Sequence, residues 1–220
     1  MILIDLDGTL IDSVPDLAFS VDAMMDELGL PRRGEAAVRN WVGNGVERLV
    51  QRALTNDLDG HPDPELYARA LPVFMRIYQQ NTSARSRLYP GVREGLDRLQ
   101  AEGYRLGCVT NKAERFTLPL LREKGILDRF GIVVSGDTLE HSKPHPAPLL
   151  HAAAALGVTP GESLMVGDSR SDVKAARAAG FRIVCMSYGY NHGEDIRKER
   201  PDAVLDRLDA LPGLLQAEVA

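Results

Sequence analysis

The sequence contains only two cysteines among its 220 residues, and both Cys108 and Cys185 lie inside short apolar runs. Cysteines in such runs are typically buried free thiols, which fits a reducing compartment. No apolar run approaches the roughly 18 residues that a membrane-spanning helix needs, and no signal peptide is recognised before the first apolar run. We therefore expect a cytoplasmic protein that makes no use of a membrane. Because the first strand begins almost at Met1, we also expect the natural chain to carry a few more residues at its start.

Basic residues are also fewer than acidic ones. Lys and Arg number 26 against 31 Asp and Glu, which gives a formal net charge of −5. A nucleic-acid-binding protein would need a basic surface, so we expect no nucleic-acid partner. With 44% hydrophobic and 26% charged residues, the chain has the composition of an ordinary globular protein that can bury a core. We expect it to be a monomer or a homodimer.

Five short apolar runs, each bounded by turn residues, predict buried parallel strands. They cover residues 2–6, 105–110, 132–135, 163–167 and 182–187. Helical patterns cover residues 92–102, 113–124, 146–156 and 171–179. Strands that alternate with helices in this way predict an α/β fold whose core is a doubly wound, Rossmann-like parallel sheet. Residues 203–205 and 206–216 predict an additional edge strand and a closing helix.

The interval between Asp12 and Tyr89 lacks any clear strand pattern and is too long for a loop. It contains three stretches with apolar residues at helical spacing, in one of which Met24 and Met25 are predicted to fill a core. We therefore predict an α-helical cap domain at residues 13–88, inserted into an α/β core domain formed by residues 1–12 and 89–220.

Polar residues and one glycine lie at or after the carboxyl ends of four predicted strands. They are Asp5, Asp7 and Gly8 at the first, Thr110 and Asn111 at the second, Lys143 after the third, and Asp168 and Asp172 after the fourth. A single Asp in such a position is usually a turn former or a helix cap, but acids at two strand ends of one sheet edge would repel each other. Oxygen ligands favour Mg²⁺, and a neighbouring lysine favours a bound phosphate. The pattern therefore predicts a site for Mg²⁺ and a phosphate group.

Four motifs together resemble the haloacid dehalogenase superfamily. They are DLDGTL at residues 5–10, VTNK at 109–112, SKPHP at 142–146 and GDSRSD at 167–172, in the order that the superfamily shows. Within the superfamily, WVGNGVERLV at 41–50 and YGYNHGEDI at 188–196 resemble the bacterial phosphoglycolate phosphatases. The resemblance implies a phosphomonoesterase that acts on a small phosphate ester, with 2-phosphoglycolate as the favoured substrate.

The resemblance also implies a role for each motif residue. Asp5 would be the nucleophile that becomes an aspartyl phosphate, and Asp7 the general acid and base. Because the Asp7 carboxylate is not expected to bind the metal, it would be free to keep a proton. Mg²⁺ would bind Asp5, the main-chain carbonyl of Asp7, and Asp168. The remaining implied contacts are Asp172 near the metal, and Thr110, Asn111, Lys143 and the main-chain amides up to Gly8 around the phosphoryl oxygens.

Other activities within and outside this family stay open. Asp7 argues against dehalogenation, because a halide needs no proton, and the lack of any Lys before Arg105 argues against a Schiff base formed by the insertion. Three alternatives remain. The protein could be a phosphatase for another small ester, such as a sugar phosphate or N-acetylmuramate 6-phosphate. It could also be a sugar phosphomutase or a non-catalytic protein that binds a phosphorylated ligand.

Two residues have both a functional and a structural interpretation. Arg48 follows the turn at Gly43 and Gly45, so it is either a substrate-carboxylate ligand or a surface arginine. Ser169 or Ser171 is predicted to cap the helix that follows the fourth strand, and capping is the preferred interpretation of Ser171. The histidines near Lys143 have no matching Cys or His pair at zinc spacing, so no zinc site is expected.

Overall fold

The computed structural model describes residues 1–217. In chain order the elements are β1 (Ile2–Ile4), β2 (Ile11–Asp12), α1 (Val14–Glu27), α2 (Glu35–Trp41), α3 (Gly45–Thr55), α4 (Pro64–Gln80), β3 (Arg87–Leu88), α5 (Val92–Ala101), β4 (Leu106–Val109), α6 (Glu114–Glu123), β5 (Ile132–Val134), α7 (Ala147–Leu156), β6 (Leu164–Gly167), α8 (Arg170–Ala179), β7 (Arg182–Met186), β8 (Ala203–Leu205) and α9 (Leu211–Ala217). Six strands form one sheet in the order β5-β4-β1-β6-β7-β8. All neighbouring pairs in it are parallel, which confirms the predicted doubly wound α/β fold.

The predicted core elements are all present, with small differences at their ends. Each of the five predicted strands exists, β8 adds the predicted edge strand, and α9 is preceded by a 3₁₀ turn at Leu208–Ala210. All five strands are one or two residues shorter than predicted. The sequence pattern extends past the strand ends to Asp5 and Thr110. Their amides still donate to carbonyls of the neighbouring strands, while both residues line the cavity.

The alternation of side chains along the strands covers both faces of the sheet with a hydrophobic core. Ile2 and Ile4 pack against α5, α6 and α9, whereas Leu3 packs on the opposite face with residues of α7 and α8. The two cysteines divide in the same way: Cys108 is buried on the first face and Cys185 on the second. Both are free thiols, as predicted.

The chain between β2 and β3 forms the four helices α1–α4, which we call the helical segment. Its own core contains the predicted Met24 and Met25, together with Trp41 and Phe74, and also contacts Phe116 of α6. The prediction of no strand in this interval is wrong at its ends, because β2 and β3 pair antiparallel where the chain leaves and rejoins the α/β core. Strands of two residues are too short to show a period of two. In residues 1–217 no helix is both long and apolar enough to cross a membrane.

Candidate active site

Three buried carboxylates lie together at the carboxyl edge of the sheet. Asp5 directly follows β1, Asp168 follows the neighbouring strand β6, and Asp172 lies in the first turn of α8. The parallel pairing continues past β1, because the Asp5 amide donates to the carbonyl of Val166 at 2.9 Å. One oxygen from each carboxylate lies within 4.8 Å of the others. The sequence prediction that these acids meet at one edge agrees with this geometry.

Lys143 joins two of the three acids. Its Nζ is 2.8 Å from Asp5 Oδ1 and 2.7 Å from Asp172 Oδ1, and it also donates to the carbonyl oxygen of Val109 at 2.7 Å. Burial by itself would lower the pKa of Lys143, but the negative charges of Asp172 and Asp5 raise it above its usual value. Lys143 is therefore a buried cation held in one place by three oxygen acceptors.

The acids carry more negative charge than this one lysine can balance. Burial raises the pKa of Asp5 to about 7; the charge of Lys143 opposes the rise, and that of Asp172 adds to it. Burial also raises the pKa of Asp168 well above its usual value, with further contributions from Asp172 and Asp5. Such a site favours a bound cation, and a donor set made only of carboxylate oxygens fits a hard divalent ion. The residues present therefore fit the metal that the sequence predicts.

The Asp168 carboxylate is fixed by contacts from two loops. Thr9 Oγ1 donates to Asp168 Oδ1 at 2.7 Å, and the main-chain amide of Tyr190 donates to Oδ2. Gly8 lies against this carboxylate with φ +87°, and a Cβ there would stand 2.3 Å from Asp168 Oδ2. Glycine at position 8 is thus required both by the backbone conformation and by the close approach to Asp168.

Asp172 has two tasks in the structure. Its Oδ1 faces Lys143, while its Oδ2 accepts hydrogen bonds from the amides of Ser169 and Asp168 at 3.0 and 3.2 Å. Of the two predicted cap residues, Ser169 is the N-cap of α8, so the interpretation of Ser171 as the cap is wrong. The helix begins at Arg170 because Asp172 satisfies the free amide at its N-terminus, as in a capping box.

A second acid–lysine pair lies beside the first. Lys112 Nζ donates to both carboxylate oxygens of Asp7, at 3.1 and 3.0 Å. Burial by itself would lower the pKa of Lys112, but the charge of Asp7 and the neighbouring Tyr78 raise it above its usual value. The structure thus gives the Asp7 carboxylate a lysine partner that the sequence did not predict. Sequence reasoning assigned no role to Lys112, although its place two residues after Thr110 was a signal that could have found it.

Thr110 and Asn111 both line the cavity, and they also connect the surrounding loops. Thr110 Oγ1 accepts a hydrogen bond from the Lys112 amide at 3.1 Å. Asn111 Nδ2 donates to the carbonyl of Lys143 at 2.9 Å and to that of Gly43 at 3.1 Å, which links the sheet edge to the helical segment. Asn111 Oδ1 is buried without a hydrogen-bond partner among residues 1–217.

The cavity lies between the sheet edge and the helical segment. The sheet side contributes the acids and the two lysines, and the helical side is formed by Leu17, Val42, Gly43, Gly45, Val46 and Leu49. Its volume is about 40 Å³, room for about three water molecules. The cavity thus combines a charged floor with a wall of apolar side chains and glycines, and it suits a small ligand.

Arg48 does not line this cavity. Its guanidinium donates to Gly60 O at 2.9 Å and Leu58 O at 3.0 Å, and to Gln51 Oε1 at 2.8 Å. It points away because residues 58–60 present main-chain carbonyls that suit its planar fork. The structure therefore does not show Arg48 as a ligand in the cavity. Nor is it the surface arginine of the second interpretation, because only 22% of its side chain is exposed and its guanidinium bonds main-chain carbonyls.

Tyr190, which lies in the motif at residues 188–196, lines the cavity as well. Besides binding Asp168 through its amide, it bonds Asp12 Oδ1 through its hydroxyl, which also accepts from the Ser13 amide at 3.1 Å. Tyr190 thereby connects Asp168 to the chain that enters α1. The motif at residues 188–196 contains Tyr190, but the contact with Asp12 could not be read from it, since the two residues are 178 positions apart.

Comparison with known proteins finds similar proteins that span almost the whole chain. The family model for haloacid dehalogenase-like hydrolases matches residues 2–186. A phosphoglycolate phosphatase of Nitrosococcus oceani is 63% identical over 215 residues, which are 98% of this chain and 96% of that protein. One from Nitrosospira multiformis is 50% identical and covers 98% of this chain and 95% of its own length.

A solved structure gives the same result at the level of the fold. The crystal structure of a predicted phosphoglycolate phosphatase from Haemophilus somnus matches with a TM-score of 0.92 at 36% identity. The match covers 98% of this chain and 97% of the other. The similarity therefore includes the helical segment as well as the sheet and its carboxyl edge.

Proposed function

The chain belongs to the haloacid dehalogenase-like hydrolases and is a phosphatase, and we propose that it hydrolyses 2-phosphoglycolate to glycolate and phosphate in a Mg²⁺-dependent reaction. The observation that carries this proposal is the cluster of Asp5, Asp168 and Asp172 around Lys143 at the sheet edge. The substrate rests on the names of the relatives.

Asp5 is the proposed nucleophile. One of its carboxylate oxygens attacks phosphorus, the bond between phosphorus and the glycolate oxygen breaks, and an aspartyl phosphate forms on Asp5. Lys143, 2.8 Å from Asp5 Oδ1, would hold this carboxylate in the ionised form and then face the phosphoryl oxygens. The hydroxyl of Thr110 and the main-chain amides up to Gly8 are the proposed further donors to these oxygens, together with the Asn111 side chain.

Asp7 is the proposed acid and base. It gives a proton to the departing glycolate oxygen and later accepts one from the water that hydrolyses the aspartyl phosphate. Because an alkoxide leaves poorly without a proton, this step matters more for an alkyl ester than for an aryl ester. Lys112 keeps the Asp7 carboxylate at the edge of the cavity.

Asp5, Asp168 and the main-chain carbonyl of Asp7 would hold the metal. When bound, Mg²⁺ balances the charge of the acids and of the phosphoryl group. Asp172 would lie near the metal without binding it directly, since one of its oxygens contacts Lys143 and the other accepts from the amides at the N-terminus of α8. Tyr190 and Thr9 fix Asp168 in the orientation that the site needs.

The helical segment is the proposed cap domain, residues 13–88, over the α/β core domain of residues 1–12 and 89–220. Its apolar residues Leu17, Val46 and Leu49 would exclude bulk water from the phosphoryl group during the first step. The antiparallel pair β2 and β3 is the proposed hinge, because it contains both connections between the segment and the core. The cytoplasmic location and the state as monomer or homodimer stay predictions.

A screen of small phosphate esters tests the function. We expect release of phosphate from 2-phosphoglycolate with Mg²⁺, loss of activity with EDTA and recovery on adding Mg²⁺. Faster hydrolysis of a sugar phosphate or of N-acetylmuramate 6-phosphate would contradict the substrate but not the reaction. Transfer of phosphate between sugar positions without release would instead indicate a mutase, and binding of esters without turnover would refute the enzyme.

A further inference from the structure

We propose that Lys112 is the positioning residue of Asp7, and that Tyr78 of α4 holds Lys112 in place for this task. The inference rests on the proposed function, in which Asp7 transfers the proton to and from the reacting oxygens. It adds a residue of the helical segment to the apparatus that controls proton transfer.

The ion pair between Lys112 and Asp7 has a geometry that fixes the carboxylate. A single donor, Lys112 Nζ, lies 3.1 and 3.0 Å from the two oxygens of Asp7, so it fixes the rotation of the carboxylate. Only 2% of the Lys112 side chain and 15% of the Asp7 side chain are exposed. A lysine with so little exposure loses much of its conformational freedom, and its charge is little screened by solvent.

The main chain of Lys112, from which the side chain extends, is held in place by hydrogen bonds. The Lys112 amide donates to Thr110 Oγ1 at 3.1 Å. Its carbonyl accepts from the Gly136 amide at 2.8 Å and from Thr117 Oγ1 at 3.1 Å. Both polar groups of its main chain are thus bonded, and the side chain reaches Asp7 from a rigid loop.

Lys112 also contacts the helical segment, through Tyr78 of α4. The Lys112 Nζ lies 5.1 Å from the centre of the Tyr78 ring, within the range of a cation–π interaction. Tyr78 is fully buried, and its ring packs between those of Phe74 and Phe116 at centroid distances of 5.5 and 4.8 Å. The helical segment therefore holds a fixed aromatic ring beside the Lys112 ammonium group.

The two lysines of the site serve different acids. Lys143 contacts Asp5 and Asp172, whereas Lys112 contacts Asp7. Replacing Lys112 should therefore leave the phosphoryl-binding part of the site intact and affect only the proton transfer.

Leaving-group dependence separates this role from a structural one. In Lys112→Met we expect kcat/KM to fall by about 100-fold for 2-phosphoglycolate and for ethyl phosphate, because both leaving alkoxides need a proton. For p-nitrophenyl phosphate, whose leaving group needs little protonation, we expect a loss of less than about 5-fold. Ethyl phosphate has no carboxylate, so it distinguishes positioning of Asp7 from binding of the substrate carboxylate.

Further variants complete the experiment. Lys174→Met on the exposed side of α8 is the matched control and should behave like the wild type on all three esters. In an Asp7→Asn background, Lys112→Met should cause no additional loss, because the group that it positions is already absent. Tyr78→Leu should reproduce the selective loss at a smaller magnitude. Lys112→Gln, which keeps a donor, replaces Lys112→Met if circular dichroism shows that the latter does not fold.

Each outcome decides the proposal. Equal losses on the alkyl and aryl esters, or a loss confined to 2-phosphoglycolate, would overturn the positioning role of Lys112 while leaving the proposed function standing. An additional loss in the Asp7→Asn background would overturn it too. A wild-type enzyme that cleaves p-nitrophenyl phosphate and ethyl phosphate but not 2-phosphoglycolate would refute the substrate alone, and the test of Lys112 would proceed on the other two esters.

Discussion

The cations at the sheet edge and three arginines of the helical segment differ in what they bind. At the sheet edge, Lys112 and Lys143 contact side-chain carboxylates inside the cavity. In the helical segment, Arg33, Arg48 and Arg52 donate to main-chain carbonyls of the segment itself. None of the three lines the cavity.

This difference indicates how the work is divided between the two regions. A lysine is a compact charge that can serve several acids at once, whereas the planar fork of an arginine suits carbonyls that lie in fixed directions. The sheet edge thus supplies the charge for the chemistry, and the arginines of the segment hold its loops in the shape of a wall. Substitutions at the sheet edge should change the reaction, and those at the arginines should change stability.

The largest effect is expected at Asp5, the proposed nucleophile. Asp5→Asn should lower kcat by at least about 10⁴-fold, because the amide cannot attack phosphorus. Phosphate release measures the loss, and circular dichroism checks that the fold is retained. Asp128→Asn, at an exposed acid outside the site, is the control and should keep full activity. Normal turnover in Asp5→Asn would remove Asp5 from its role.

Asp168 should show a smaller effect that depends on the metal. Asp168→Asn should raise the Mg²⁺ concentration for half-maximal activity by about 10- to 100-fold, since a neutral amide is a weaker ligand. A Mg²⁺ titration of initial rates measures the shift. An unchanged midpoint would mean that Asp168 holds Tyr190 and Thr9 without binding the ion.

Gly8 connects stability to the same carboxylate. Gly8→Ala should lower the free energy of unfolding by about 3 kcal/mol, since it combines a positive φ with a clash against Asp168. Gly103 has a similar φ of +84°, but a Cβ added there would have no neighbour within 4 Å, so it is the matched control. Gly103→Ala should cost about 1 kcal/mol, the strain alone. Equal losses by urea unfolding would show that the contact with Asp168 contributes nothing.

Much of the fold followed from the sequence because buried parallel strands are continuous apolar runs. The acids could be placed together for the same reason: Asp5 and Asp168 each follow a strand, and the carboxyl ends of parallel strands share one edge. The pair β2 and β3 could not be predicted, since two residues carry no periodic signal.

Contacts between distant parts of the chain explain most of what the sequence missed. Lys112 and Asp7 are 105 positions apart, and Tyr190 meets Asp12 across 178 positions. Arg48 was misjudged because of a contact that is short in sequence. Its residue type suited a substrate carboxylate, but the main-chain carbonyls of residues 58–60 accept its hydrogen bonds instead. Helix position alone does not say which way a long side chain turns.

The smallest effect is therefore expected at Arg48. Arg48→Ala should leave KM for 2-phosphoglycolate within about 2-fold of the wild type, because its guanidinium contacts carbonyls outside the cavity. The free energy of unfolding should fall by only about 1 kcal/mol. Part of the loss is offset because burial and the charge of Arg48 together lower the pKa of Arg52 to about 10, and the variant removes that repulsion.

Arg69→Ala, at an exposed arginine of α4, is the matched control for the loss of one charge from the helical segment. It should change neither KM nor the free energy of unfolding by a measurable amount. If Arg48→Ala instead raised KM for 2-phosphoglycolate and not for p-nitrophenyl phosphate, Arg48 would bind the substrate carboxylate. The helical segment would then supply charge to the cavity, and the division of work between the two regions would not hold.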